Sequence, residues 1–472
     1  MLVNQALKLS IAVIFYCVLC FSSTNALSAT EAFGFSSYLK PFSARSLWNS
    51  RPVNPVLDNY EIPTSTYSPI IHEGAYSTGV FLAKSTDPAV TVLGPENSGG
   101  IWDPDTGIQR ISITIPRWPS DLAPASGHDG HADIVDPLTN RIHSFFHLKN
   151  VGDHWEASHY AWTKLDGTGW PDPAHFYQGV RAVSGPPTAG LIRAHEVKDG
   201  LNIINHALAV SLTLNALAPE PSYIFPATSA DGNAWKNTGK IPEGALLMLP
   251  QDFNADAIDN AVLRKIANTL KVYGAYVVDR NIGTPFAIYV ENGAGVNLHK
   301  YGWSNSVAAD LDKIRANLRQ VKSTDGYVDG NGQTFQPSTS LNILSMRGPW
   351  HLKTGSTLAE FNTWQQALVF TKSSSPTTLE NNSGRSLHPV QWALPHKGER
   401  FKLTSITSGG AKLKLMILDK NLKKVTYDSG ELANGQTNVF TWPADSFIPI
   451  IWAKSGSSGE STVSGELVKL IK

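Results

Sequence analysis

Residues 131–148 read HADIVDPLTNRIHSFFHL, and residues 155–165 read WEASHYAWTKL. Three strands are expected here, over His131–Asp136, Arg141–Leu148 and Trp155–Leu165. The Asp136-Pro137 and Asn140 punctuation closes the first two into a hairpin. Side chains alternate along a strand, so Ala132 and Ile134 take one face while His131, Asp133 and Val135 take the other. In the second strand His143, Phe145 and His147 oppose Ile142, Ser144, Phe146 and Leu148. This unit sets a β-rich reading for the chain around it.

Upstream, Gly79–Ala83, Val90–Leu93 and Gln109–Ile115 are short β-type runs in Pro-, Ser- and Gly-rich text. Downstream, 203–214 and 245–249 have strand character. Two helices are expected. Ile258, Val262, Ile266 and Leu270 form a buried stripe on 257–271, stopped by Gly274. Val307, Leu311, Ile314 and Leu318 form another on 307–321, with Ser304 or Ser306 as cap. Lys372–Pro376 and Asn381–Gly384 read as a linker over 372–384. Beyond it, alternating runs between Gly, Asn and Asp turns predict an antiparallel β-sandwich over 385–472. The expected fold is mainly β with a few helices: a β-rich α+β N-terminal domain over 30–371, then the sandwich.

The first residues predict export. Lys8 is the lone charge before an apolar run from Leu9 to Phe21, and small residues around Ala26 and Ala29 suit cleavage. About 13 apolar residues are too few to span a bilayer. A signal peptide over 1–26 therefore implies a secreted or periplasmic protein with no integral membrane segment. Both cysteines, Cys17 and Cys20, lie inside that leader, so no disulfide or thiolate chemistry is expected in the mature chain.

In the 472 residues, 39 Lys and Arg balance 39 Asp and Glu. That balance argues against a nucleic-acid partner, which needs an excess of cationic side chains. Charged residues make up only 17%, while 38 Gly, 29 Pro, 13 Trp and 14 Tyr give a turn-rich, aromatic-rich chain. No Gly-x-Ser-x-Gly elbow, phosphate-binding loop or dinucleotide fingerprint is present.

Histidine carries the site signal: nine of 14 fall between His128 and His206. The densest text, Gly127-His128-Asp129-Gly130-His131-Ala132-Asp133, offers Asp129 and His131 as an acid–base pair. It also offers His128, His131 and Asp133 as ligands for a divalent metal. On the third strand, Glu156, Tyr160 and Trp162 share a face suited to stacking and hydrogen-bonding sugar. Arg193 can grip a carboxylate, with Glu196 and His206 close by in sequence.

Trp48-Asn49, Asp129-x-His131, Asp136, Trp155 and Gly169-Trp170 occur in this order. They are followed by Ala189-Gly190-Leu191-Ile192-Arg193, Glu196, His206-Ala207-Leu208 and Tyr273-Gly274-Ala275-Tyr276-Val277-Val278-Asp279. This ordered set resembles a widespread family of secreted microbial β-rich proteins without a firmly established activity, over roughly residues 40–320. The pattern differs at Gly130, where the family has Arg, and at Asp133, where it has an aliphatic residue.

These readings converge on an enzyme acting on polysaccharide. The expected catalytic residues are His131, Asp129, Tyr160, Glu196 and His206. The expected substrate contacts are Arg193, Glu156, Trp162 and Trp170. A lyase would use His or Tyr as base with Arg193 as neutraliser, and a glycosidase would use two carboxylates. The alternatives are a non-catalytic carbohydrate- or matrix-binding envelope protein, and a metal-dependent hydrolase.

Overall fold

The computed structural model describes residues 34–353, 360–363, 365–371, 375–382 and 385–470. The expected leader, the 372–374 part of the expected linker and residues 383–384 lie outside the described residues.

The N-terminal body is layered. Its central sheet has seven strands, in the order 56–57, 319–323, 246–248, 275–281, 208–213, 286–289, 70–72. One face carries Leu208, Val210, Ala275 and Val277 into a core shared with two helices, Ala261–Val272 and Asn305–Asn317. The first helix begins later than its apolar stripe suggests. The Asn260 side chain accepts from Leu263 N and so sets the start of the first turn. The second helix is capped by Ser304 and ends early, because Arg319–Ser323 pairs into the sheet.

The other face carries Ala209, Tyr276, Val278 and Tyr289 toward a six-stranded sheet, ordered 79–82, 132–136, 141–146, 159–164, 101–103, 108–110. The expected hairpin forms, with Ile142 opposite Val135 and Ser144 opposite Asp133. The alternation holds. Val135 and Ile142 face the seven-stranded sheet, and Ala132, Ile134, Phe145 and Tyr160 pack the other way. That second core is closed by a four-stranded sheet, ordered 149–151, 154–156, 90–93, 112–115.

Between the two larger sheets lies chain without strand or long helix, from Phe42 to Trp48 and from Leu165 to Leu191. Trp48 and Trp170 stack there at 4.9 Å and 6°, with Tyr276 edge-on to both. Gly190 makes room for that stack. Its φ is +68°, and a Cβ would sit 2.5 Å from the Trp48 ring.

The C-terminal unit is an antiparallel sandwich, as expected, but it starts earlier. Its six-stranded sheet runs 360–363, 348–352, 378–381, 447–454, 412–419, 424–428, and its four-stranded sheet runs 368–370, 461–469, 400–408, 437–441. Thr378–Asn381, expected as linker, pairs with Ile451–Lys454. The core takes in residues from Leu341 onward, including fully buried Trp350. A four-residue strand set in Ser-, Thr- and Asn-rich text draws its stability from partners some 70 residues away, so local composition mislabels it. The sandwich docks on the N-terminal body. Phe176 stacks on His388 at 4.1 Å, Trp392 donates to Ala227 O at 2.7 Å, and Arg347 donates to the Tyr177 hydroxyl at 2.7 Å. No helix among the described residues is long and apolar enough to cross a membrane.

Candidate functional site

The site lies on the side of the seven-stranded sheet that faces the six-stranded one. A β-bulge builds one wall. Val210 pairs with Val277, but Ser211 pairs with Asp279, which leaves Val278 as an extra residue. Without the bulge Asp279 would follow Val277 into the helix-side core. With it, Asp279 turns to the opposite side. There its Oδ2 accepts from Arg181 Nη1 at 2.6 Å, and its Oδ1 accepts from Ala182 N at 3.1 Å. Arg181 comes from the inserted segment and lies 4.0 Å over the Tyr289 ring. The arginine is buried, and its Nη2 has no hydrogen-bond partner. A buried guanidinium nitrogen without an acceptor is costly.

Asp231 supplies a second carboxylate, held through Arg280 N donating to its Oδ2 at 2.7 Å. Burial, and then the Asp279 charge, push its carboxyl up to about 6. Behind it Glu243 is buried, and both its oxygens accept from Asp231 N. Burial and the neighbouring Asp231 and Asp279 hold Glu243 well above the usual carboxylate range.

Asp129 is the third carboxylate, on the loop before the Ala132–Asp136 strand. Burial and then the Asp279 charge raise its carboxyl, against the Arg181, His147 and His128 charges. Gly130, at φ +48°, lets this loop press on the next strand's end, since a Cβ would meet Leu148 O at 2.9 Å. The loop is stitched there by His147 N donating to Asp129 O at 2.7 Å. His147 itself has φ +55°, unusual for a residue with a side chain. Its Nδ1 faces Ser158 Oγ and its Nε2 faces His128 Nδ1, each at 3.0 Å. His128, Asp129 and His147 bring three donor atoms within 4.8 Å of one another, a set that can hold a metal.

His131 sits beneath this cluster, buried, with Nδ1 3.3 Å from Phe145 O. Burial and then the Arg181 charge hold its imidazole well below the usual range, in the neutral form. Asp129 and His131 thus belong to one locality through their shared Arg181.

The other expected residues go elsewhere. Tyr160 turns into the opposite core, 2.7 Å from His143 Nδ1, and burial lifts its phenol far above the usual range. It is no candidate base for this site. Asp133, expected as a metal ligand, is sealed between the sheets and accepts from Thr188 N at 2.6 Å; burial pushes it up to about 6. His128 therefore partners Asp129 and His147 rather than His131 and Asp133. Glu156 pairs with Lys149 at 2.9 Å and His154 at 3.3 Å. Trp162 lies between Arg141 at 4.2 Å and His175 at 3.8 Å. Trp170 is locked in its stack. None of these aromatics presents a free sugar-stacking face.

Arg193, Glu196 and His206 make a separate buried network. Arg193 pairs with Glu291 at 3.1 Å and donates to Tyr38 O, while Glu196 accepts from His206 at 3.1 Å. Against the cost of burial, the His206 charge and its hydrogen bond bring Glu196 down to about 2. Arg193 and His206 border a cavity of about 20 Å³, which is water-sized. The network ties the chain entry to the seven-stranded sheet, and these three residues are structural. A larger hollow of about 480 Å³, by Glu73 and His299, lies elsewhere, and its Glu73 is satisfied by Gly293, Gly295 and Val296 N–H groups.

Sequence reasoning missed Arg181, Asp231 and His147 as members of the site. Asp279 was visible as the end of the Tyr273–Asp279 motif, without a role.

No protein-family model matches the chain, and no curated protein matches it. Among solved structures, it is similar to accessory secretory protein 1,2 and 3 of Streptococcus pneumoniae at 14% identity, over 27% of this chain and 100% of that one, TM-score 0.17. A variant of a family 29 carbohydrate binding module aligns at 12% identity, over 28% and 92%, TM-score 0.17. The enzymatically active domain of bacteriophage CBA120 tailspike protein 4 aligns at 10% identity, over 28% and 18%, TM-score 0.17. TM-scores this low carry no argument about function.

Proposed function

We infer that this protein is an exported enzyme that cleaves glycosidic bonds hydrolytically, with Asp231 as general acid and Asp279 as base or nucleophile. One observation carries this reading: Asp231 and Asp279, from separate segments, interact in contrasting surroundings. Asp279 is pinned by a guanidinium and a backbone N–H. Asp231 is kept protonated to about 6. A carboxyl raised by burial beside a carboxylate held by a guanidinium offers the two groups that acid–base cleavage of an acetal needs. The apolar Leu9–Phe21 run supports export, and the loss of Tyr160 as a base favours hydrolysis over elimination.

The test is a panel of neutral and uronate polysaccharides, read for new reducing ends and for ultraviolet-absorbing unsaturated products. Reducing ends without unsaturation are expected, with turnover down at least about a hundredfold in Asp231→Asn. Unsaturated products would replace hydrolysis with elimination. Glycan binding without cleavage would leave a matrix-binding protein.

A further inference from the structure

Beside the site lies a feature that acid–base cleavage does not use. Two imidazoles and a carboxylate, His128, His147 and Asp129, converge there from two separate turns. The geometry points to a binding site for one first-row divalent transition cation, Zn²⁺ in kind, held by His128 Nδ1, His147 Nε2 and Asp129.

Three features support it. First, the ring nitrogens lie 3.0 Å apart, with the rings nearly perpendicular at 83°. Metal–nitrogen bonds of about 2.0–2.1 Å place neighbouring ligand nitrogens about 3 Å apart, so the imidazoles already have the spacing of two ligands on one ion. Second, the orientation is set from behind. With Nδ1–H donating to Ser158 Oγ at 3.0 Å, His147 presents its Nε2 lone pair outward. Third, His147 takes a left-handed backbone conformation that a histidine adopts at a cost. The bond from its N–H to Asp129 O locks the two ligand-bearing turns together. Two imidazoles with one carboxylate suit Zn²⁺, Co²⁺ or Fe²⁺ better than Ca²⁺ or Mg²⁺, which prefer all-oxygen shells. Asp129 lies up to 4.8 Å from the nitrogens, and rotation of its half-exposed side chain closes the shell.

This site stands apart from the hydrolytic reading, because cation binding is measured without substrate. Tag-free protein stripped with chelator is titrated with Co²⁺, followed by calorimetry and by the visible ligand-field spectrum, and Zn²⁺ is then used to displace it. About one equivalent is expected in the wild type. His128→Gln and Asp129→Asn should abolish the spectrum, and Ser158→Ala should weaken binding about tenfold, the scale for losing an orienting partner. His128 is exposed, so its variant folds even if changes at the strained His147 do not. His154→Gln is the control: His154 pairs with Asp153 and Glu156 on a neighbouring turn and offers the rival site. Absence of Co²⁺ binding in the wild type, binding unchanged in His128→Gln, or loss confined to His154→Gln would each overturn the assignment.

Discussion

Replacing Asp231 with Asn should stabilise the protein above neutral pH and leave it unchanged in acid. The Asp231 carboxyl moves from 3.8 to about 6 on folding, because burial and the Asp279 charge disfavour its ionised form. A group whose pKa rises on folding contributes stability that is fully present below its unfolded value. That stability is lost as pH rises through the folded value, here between about 4 and 6. Two units correspond to about 3 kcal/mol at most, and solvent reaching this half-buried group reduces it to about 1–2 kcal/mol. An amide cannot ionise, and its oxygen can still accept from Arg280 N, so the variant escapes the penalty. Urea unfolding of wild type and variant at matched pH values from about 4 to 8 reads the difference directly. The variant should match wild type near pH 4 and exceed it by about 1–2 kcal/mol near pH 8. A difference that stays constant with pH, or that shrinks as pH rises, would refute the idea that burial and the Asp279 charge hold Asp231 protonated. The same variant should have lost its turnover, so a residue that weakens the fold at neutral pH would be the one the chemistry needs.

Two further outcomes follow from the packing. Trp170→Ala should lower stability by about 3–5 kcal/mol, seen as a fall in melting temperature, because it empties the space under Trp48 and Tyr276; a sugar-stacking residue would instead lose affinity without stability. A fragment starting at residue 341 should fold as a sandwich with dispersed amide resonances. One starting at 377 should not, because it loses Trp350 and bares the Thr378–Asn381 edge.

The parts of the fold that were legible in sequence are those where a local period coincides with a core. The hairpin over 132–146 keeps its two-residue alternation, and the Ala261–Val272 stripe keeps its spacing. Alternation says which residues share a face, however, and not what covers that face. Tyr160 and Trp162 were therefore grouped correctly on one side and wrongly given to substrate, because strands 90–93 and 112–115, which share the Tyr160 core, come from distant segments. Asp129 was legible from the dense His and Asp text around it. Arg181 and Asp231 were not, since they sit in loops with no period and meet Asp279 98 and 48 positions later. The Arg193–Glu291 and Glu196–His206 pairs warn that converging polar residues also build structural struts.

The extra residue at Val278 has a consequence for how this chain can change over generations. A strand with a two-residue period is a parity device, and the bulge is the point where parity flips. Losing Val278 would let Asp279 follow Val277 directly and still pair with Ser211, so it would keep facing Arg181. Losing a second residue would turn Asp279 into the helix-side core as a buried charge and strip Arg181 of its partner. Length variation in this strand should therefore stop at the one residue the bulge absorbs, while the loop bearing Asp129 can lengthen one residue at a time.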